Sequence, residues 1–305
     1  MKHLSLSLFT ISLSVLLGLS ACVHSPEVKK EETPLFTFAF LTDIHLQPER
    51  NAIAGFSKAI ELVNELNPDF VITGGDLIYD ALGQGYGRAD SLYVLYDSMQ
   101  QLFNMPVYNT IGNHELFGLY EKSGVSPEHP EFGKKIYENR ITSRYYSFDH
   151  QGWHFVVVDA IGTTPARRYF GEIDSTQISW INEDLASLDS TVPIVMISHI
   201  PLTTTFVPYF FRNQIESDSG IIVTNSKAVI DLFDEHNLLL VLQGHTHILE
   251  DVFVDNIHFV TGGAVSGRWW RGPNLGTEEG FLLVSVYPET YRWEYIDMLW
   301  EVQPD

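Results

Sequence analysis

Residues 35–305 carry two hydrophobic periods in turn. Short, mostly apolar runs at Phe36–Leu41, Phe70–Thr73, 106–110, Pro193–Ile197 and 238–242 have strand length and read as strands. Between them the period lengthens. Ala52–Leu66 places Ile53, Phe56, Ile60 and Val63 on one helical face and stops at Asn67-Pro68-Asp69. A second helix is predicted over 89–103. Asp174 is placed to cap a third, running to Leu188 with Ile178, Ile181, Leu185 and Leu188 facing inward, and Asn225 to cap a fourth, running to His236. The runs 144–148 and 153–158 flank Asp149-His150-Gln151-Gly152, a hairpin signal. Further strands are expected at 248–254, 257–261, 281–286 and 291–296. Alternation first and strands late predict an α/β (layered α+β) architecture, with one domain over 35–305.

The first 34 residues break this pattern. Lys2 and His3 precede an apolar, Ser-rich run from Leu4 to Leu19, which is short for a membrane span and similar to a secretory signal peptide. Leu19-Ser20-Ala21-Cys22 resembles the lipobox of bacterial lipoproteins, and Cys22 is the sole cysteine of the chain. That resemblance implies removal of residues 1–21, acylation of Cys22, and a protein held on a membrane outside the cytoplasm without a spanning helix. Val23 after the cysteine resembles the pattern of outer-membrane sorting in Gram-negative cells. Residues 23–34 are polar and charged, with Pro26 and Pro34 near their ends, and read as a flexible tether.

Composition narrows the partners. Apolar residues are 45% of the 305, enough for a sizeable core. Asp plus Glu number 39 against 18 Lys plus Arg, a formal charge of −21. Such a surface repels polyanions, so a nucleic acid is not the expected partner. With one cysteine, no intrachain disulfide can form.

Five short polar clusters each follow an apolar strand-like run: Thr42-Asp43-Ile44-His45, Gly74-Gly75-Asp76, Gly112-Asn113-His114-Glu115, Ser198-His199-Ile200-Pro201 and Gly244-His245-Thr246-His247. Strand C-terminal ends are where open α/β folds build their sites. Two carboxylates, an amide oxygen and several imidazoles form a mixed O/N donor set suited to divalent ions such as Mn, Fe or Zn. Seven such donors exceed what one tetrahedral ion takes, and two ions sharing a carboxylate would use them.

In this order the pieces DxH, GD, GNH[D/E], H and GHxH resemble the signature of calcineurin-like metallophosphoesterases, spanning Asp43 to His247. The resemblance implies a two-sheet β-sandwich flanked by helices. It implies that Asp43, His45 and His247 hold one metal, that Asn113, His199 and His245 hold another, and that Asp76 bridges both. It places His114 at the scissile ester as proton donor and Glu115 as an orienting group. It implies hydrolysis of a phosphomonoester or phosphodiester by hydroxide held between two divalent metal ions. Gly75-Asp76-Leu77-Ile78-Tyr79 is also similar to the GDxxY piece of purple acid phosphatases. Because His45 is retained, Tyr79 is expected to pack beside the metals rather than bind one.

Three regions are expected to shape the pocket: 117–140; 202–225 with Phe206, Tyr209, Phe210, Phe211 and Arg212; and 261–280, TGGAVSGRWWRGPNLGTEEG. The last is similar to an SG-x-WW-x-G segment of some secreted bacterial members. Arg268, Trp269 and Trp270 either stack on and bind substrate or cap the sandwich with the tryptophans in the core. Gly75, Gly112 and Gly244 are expected to serve tight turns. The expected substrate is a small phosphorylated nutrient or an envelope phosphoester. Two rival readings are a pyrophosphatase of nucleotide-sugar or lipid diphosphates and a surface binding protein with a vestigial metal site.

Overall fold

The computed structural model describes residues 33–211, 220–288 and 290–302. The expected leader, Cys22, the expected tether up to residue 32 and Arg212 lie outside them. The described residues from Pro34 onward form one compact unit. Among the described residues no helix is long and apolar enough to cross a membrane.

In chain order the elements are β1 (Phe36–Leu41), α1 (Ala52–Leu66), β2 (Phe70–Thr73), α2 (Tyr86–Gln100), β3 (Val107–Tyr108), α3 (Lys135–Arg140), β4 (Tyr146–His150), β5 (Trp153–Val157), β6 (Ile161–Thr163), β7 (Tyr169–Gly171), α4 (Ser175–Leu185), β8 (Pro193–Ile197), α5 (Phe206–Phe211), α6 (Ser226–Ile230), β9 (Asn237–Gln243), β10 (Leu249–Val254), β11 (Ile257–Gly262), β12 (Gly280–Val286) and β13 (Tyr291–Asp297). One sheet has the order β13-β12-β1-β2-β3 and the other β10-β11-β9-β8-β5-β4, with β6-β7 as a separate ribbon. Each large sheet is parallel at its centre: β1, β2 and β3 in one, β5, β8, β9 and β11 in the other. Antiparallel strands finish every edge except that of β3, which pairs parallel with β2. This is the layered α/β architecture expected from the alternation of elements, in the two-sheet form that the family resemblance implied.

Strand periodicity divides the core in two. In β1, Phe36, Phe38 and Phe40 point between the sheets with Phe70, Phe155, Leu242 and Val284. Ala39 and Leu41 point the other way, toward the core formed with α1 and α2. The inter-sheet layer is largely aromatic: Phe38 stacks on Phe70 at 5.2 Å and meets Phe155 edge-on at 5.6 Å. Rings of this size fill the roughly 10 Å between packed sheets.

Several sequence expectations need correcting. On α1, Ile53 is 39% exposed, and the inner face is Ala52, Gly55, Phe56, Ala59, Ile60 and Val63. Gly55 stands on this face because Trp270 presses on it: a Cβ there would come within 2.1 Å of the Trp270 ring. The helix expected at 89–103 is α2, which begins at Tyr86. Residues 106–110 yield only the two-residue strand β3. Asp174 does cap α4, accepting from Gln177 N at 3.0 Å, but the helix ends at Leu185, and Ile178 and Leu188 are only partly buried. Asn225 makes no side-chain cap bond. Its Nδ2 donates to Ile173 O at 2.8 Å and its Oδ1 accepts from Ile173 N at 3.2 Å, and the helix stops at Ile230. The β4–β5 hairpin turns at Gln151 and Gly152, both at positive φ as a two-residue turn requires.

Candidate metal centre

All five clusters lie where a parallel strand ends: after β1, β2 and β3 in one sheet and after β8 and β9 in the other. Parallel neighbours release their chains at the same edge, so the five loops meet at one end of the sandwich. Hydrogen bonds join neighbouring loops within each sheet. Asp43 N donates to Gly75 O at 3.0 Å, His45 N to Asp76 O at 2.9 Å and Gly244 N to His199 O at 3.0 Å.

The local backbone is unusual. Asp43, His45, Asp76, His245 and His247 all have left-handed φ, between 47° and 72°. Asp and His visit this region more readily than most residues, yet such positions cost on the order of 1–3 kcal/mol each and persist only when surroundings enforce them. In both the Asp43–His45 and the His245–His247 pair, two left-handed residues flank one ordinary residue. The glycines serve two different needs. Gly75 has φ 88°, the turn role expected of it. Gly112 and Gly244 are not at positive φ; they leave room for a close approach. A Cβ at Gly112 would sit 2.3 Å from Asp76 N, and one at Gly244 would sit 2.0 Å from Thr42 Oγ1.

Seven lone-pair donors converge in this frame. His45 Nε2 is 3.0 Å from His247 Nε2 and 3.8 Å from Asp43 Oδ1, and His247 Nε2 is 3.2 Å from Asp43 Oδ1. His199 Nε2 is 3.2 Å from Asp76 Oδ2, Asn113 Oδ1 and His245 Nδ1 alike. Asp76 Oδ2 is also 3.7 Å from His45 Nε2, so it lies between the two groups. Separations of about 3.0–3.4 Å are those of neighbouring ligand atoms roughly 2.1 Å from a shared ion.

The proton positions agree with that use. His199 Nδ1 donates to Gly74 O at 2.7 Å and His247 Nδ1 to Gly267 O at 2.6 Å, which aims each Nε2 lone pair into the site. Asp43 Oδ2 accepts from Thr42 Oγ1 at 2.7 Å and His245 N at 2.9 Å, while Oδ1 is buried with no hydrogen bond. An uncompensated buried carboxylate oxygen calls for a cation. In the absence of a metal, protons supply the charge. Burial opposes a charged His199, but the Asp76 carboxylate raises its pKa to about 9; Asp43 likewise raises His247 against burial. Burial also works against ionised Asp43 and Asp76, yet these imidazoles hold both well below the usual carboxylate range. His45 falls well below the ordinary histidine value, from burial and then His114, and burial and His199 bring His245 down to about 4. The donor set therefore fits two cations around Asp76, with Asp43, His45 and His247 on one side and Asn113, His199 and His245 on the other.

The sequence pattern matches the calcineurin-like phosphoesterase model over residues 36–249. The chain belongs to that family. It is a metal-dependent phosphoesterase. A probable cyclic nucleotide phosphodiesterase of Xenorhabdus bovienii is 23% identical over 265 residues, which covers 82% of this chain and 95% of that protein. Among solved structures, a dimetal phosphatase from Danio rerio is similar in fold, with TM-score 0.61 and 15% identity over 87% of this chain and 97% of that one. GAP50, the anchor in the inner membrane complex of Plasmodium, gives TM-score 0.51 and 11% identity over 88% and 86%.

Around this phosphoesterase centre, Glu115 is fully buried and accepts four backbone N–H groups: Leu77 and Ile78 on Oε1, Asp76 and Gly112 on Oε2. Burial and the Asp76 charge push its pKa up to about 8, against the four donors that favour the anion. Its bonds to Asp76, Leu77 and Ile78 tie the second and third clusters together. His114 Nδ1 bonds to Tyr79 O, leaving Nε2 at the edge of the site, 3.9 Å from Asp76 Oδ2. Tyr79 lines the open cleft, and its carbonyl orients His114.

That cleft, about 370 Å³, is bounded by Asn113, His114, Tyr120, Lys122, Tyr169 and Trp269, with Arg271 at its rim. Trp269 stands 4.7 Å from the His247 ring and 5.8 Å from His45. The two readings left open for Arg268, Trp269 and Trp270 divide between the two tryptophans. Trp270 is 2% exposed, donates Nε1 to Ile44 O at 3.0 Å and packs on Gly55, so it belongs to the core. Arg271, rather than Arg268, borders the cleft. From 202–225, Tyr209 and Phe210 are exposed and do not border the cleft. Tyr169, on β7, escaped the sequence reading because no motif marks it. Asp159, at the end of β5, is a further buried carboxylate, but Lys134 at 2.5 Å and Arg144 at 2.7 Å occupy it.

Proposed function

We propose that this chain hydrolyses small phosphomonoesters or phosphodiesters outside the cytoplasm through a two-metal centre. The observation that carries the reading is the convergence of seven donor atoms around Asp76 Oδ2, with His114 at the margin of an open cleft. Divalent ions bound there would lower the pKa of water and neutralise the phosphoryl oxygens. Asp43, His45 and His247 would hold one ion, Asn113, His199 and His245 the other, and Asp76 both. His114, oriented through Nδ1, presents Nε2 to the leaving oxygen and gives it a proton. Trp269 supplies an apolar wall for the leaving group. The −21 charge supports a small substrate over a nucleic acid. The probable cyclic nucleotide phosphodiesterase of Xenorhabdus bovienii adds weight to diesters. The lipobox-like Leu19–Cys22 stretch supports export and a lipid anchor at Cys22, on the outer membrane if the host is Gram-negative.

The test is a paired assay of the manganese-loaded protein, residues 23–305, on p-nitrophenyl phosphate and bis(p-nitrophenyl) phosphate, beside Asp76→Ala. Turnover of one or both esters, lost in Asp76→Ala, is expected. Bound metal without turnover of either ester would overturn the reading in favour of diphosphate cleavage or binding alone.

A further inference from the structure

The cleft at the metal centre has a neighbour that no family motif touches. A second cavity of about 340 Å³ is lined by Tyr120, Lys122, Arg167 and Arg168, with Glu121 and Ala166. Tyr120 and Lys122 also line the first cleft, so the two cavities have a common wall. Lys122 lies over the Tyr120 ring, its Nζ 5.6 Å from the centroid.

The charges here run against the rest of the chain. Carboxylates outnumber cations 39 to 18, and of the described cations outside this region Arg88, Lys134, Arg140, Arg144 and Lys227 each contact an acid, whereas Lys58, Lys135, Arg268 and Arg292 pair with none of the described acids. Lys122, Arg168 and Arg271 have no ion-pair partner among the described residues, and all three border these two cavities. The nearby acids leave them free. Asp80 accepts from Leu82 N at 2.9 Å and Gln84 Nε2 at 3.2 Å, and Glu121 pairs with neither cation.

The site is also held in shape. Arg167, in left-handed conformation, donates Nε to Leu119 O at 2.7 Å and NH2 to Val125 O at 3.0 Å, and also bonds Gly118 O. It thereby fixes the loop carrying Lys122 against the β6–β7 turn carrying Arg168. That turn is closed by Arg167 N to Thr164 O at 2.9 Å and Thr164 N to Arg168 O at 2.8 Å. The fixed backbone brings the exposed Lys122 and Arg168 side chains to one cavity.

We propose that Lys122 and Arg168 form a second anion subsite, which takes a phosphate group of the substrate remote from the scissile ester, with Tyr120 as the apolar floor between the two phosphates. This rests on the phosphoesterase reading and refines it: the preferred substrates carry two separated phosphates. Charge-assisted contacts of this kind convert to about tenfold in affinity or more.

The test titrates manganese-loaded protein calorimetrically with adenosine 5′-phosphate, adenosine 3′,5′-bisphosphate and inorganic phosphate, and follows p-nitrophenyl ester turnover in the same preparation. The bisphosphate should bind at least about tenfold tighter than the monophosphate. That ratio should fall to about one in Lys122→Ala/Arg168→Ala, and persist in Lys122→Arg and in Arg292→Ala, a cation away from both cavities. Thermal unfolding of the double variant checks its fold. Equal binding of the two nucleotides by the wild type, or a ratio retained in the double variant, would overturn the subsite. Inorganic phosphate lost from the double variant while the nucleotide ratio stays would mark a free-phosphate site and also overturn it. Absence of p-nitrophenyl turnover in the wild type would instead count against hydrolysis, with the nucleotide ratio still readable.

Discussion

Glu115 and His114 are adjacent in sequence and have different roles. The Glu115 carboxylate fills its acceptor positions with four backbone N–H groups from two loops, so it fixes Asp76 and Asn113 without itself facing a metal. Glu115→Gln places an amide N–H against these donors. Metal affinity should fall about 10–100-fold, as for other groups that orient ligands, together with a clear loss of thermal stability. Metal titration and thermal unfolding check this, and unchanged affinity would remove the orienting role. His114→Ala should retain both metals by elemental analysis while turnover falls roughly 10²–10⁴-fold, most for poor leaving groups. Metal loss in that variant would make His114 a ligand. The residue types were legible in sequence because metal chemistry restricts them to a few donors. The nitrogen that each histidine aims at the site was not, since it depends on carbonyls such as Gly74 and Gly267, which the fold brings near.

Among the elements, strands were read more surely than helices. A run such as FTFAFL is apolar on both faces because β1 is covered by a sheet on one side and helices on the other. The helix after Asn225 begins where expected, but Asn225 bonds Ile173 from a different part of the chain instead of capping it. The segment after β11 shows the limit most clearly. Trp269 and Trp270 are neighbours, both left-handed, with φ 51° and 64°, and they face opposite environments. Sequence alone could not divide them, because the division depends on the groove left by Gly55. Trp270→Ala should cost about 3–5 kcal/mol of stability through the cavity it leaves. Trp269→Ala should leave the melting temperature near wild type and raise KM for aryl esters. Unfolding curves and steady-state kinetics on the two variants check the assignment, and the reverse pattern would exchange their roles.

For the whole molecule, the metal centre couples binding to protons. Apo-protein His199 has its pKa raised to about 9 by Asp76, and His247 is raised by Asp43. Each raised imidazole stabilises the apo fold fully below about 6.5, the unfolded value, and the His199 contribution is lost as pH rises through about 9. Metals need the neutral imidazole, so apparent manganese affinity should rise across this window. Calorimetry at pH 7.5 in buffers of different protonation enthalpy should show at least about one proton released per chain. No release would contradict the charge balance described for the centre. On the cellular scale, Cys22→Ser should move the protein from the membrane to the soluble fraction. Continued membrane retention would count against the lipid anchor.

The sequence by itself determined the sandwich's strand runs, the five ordered clusters and hence the family, because backbone periodicity and ligand chemistry are local and restrictive. Tertiary structure alone decided the rest. Two sheets with parallel centres bring Asp43 and His247 to one point across 204 residues of chain, and Gly112 and Gly244 owe their identity to atoms of Asp76 and Thr42 that press against them. The split between Trp269 and Trp270, and the meeting of Lys122 with Arg168, are likewise matters of packing between distant segments. Spatial neighbours of this kind leave no period and no spacing in the chain.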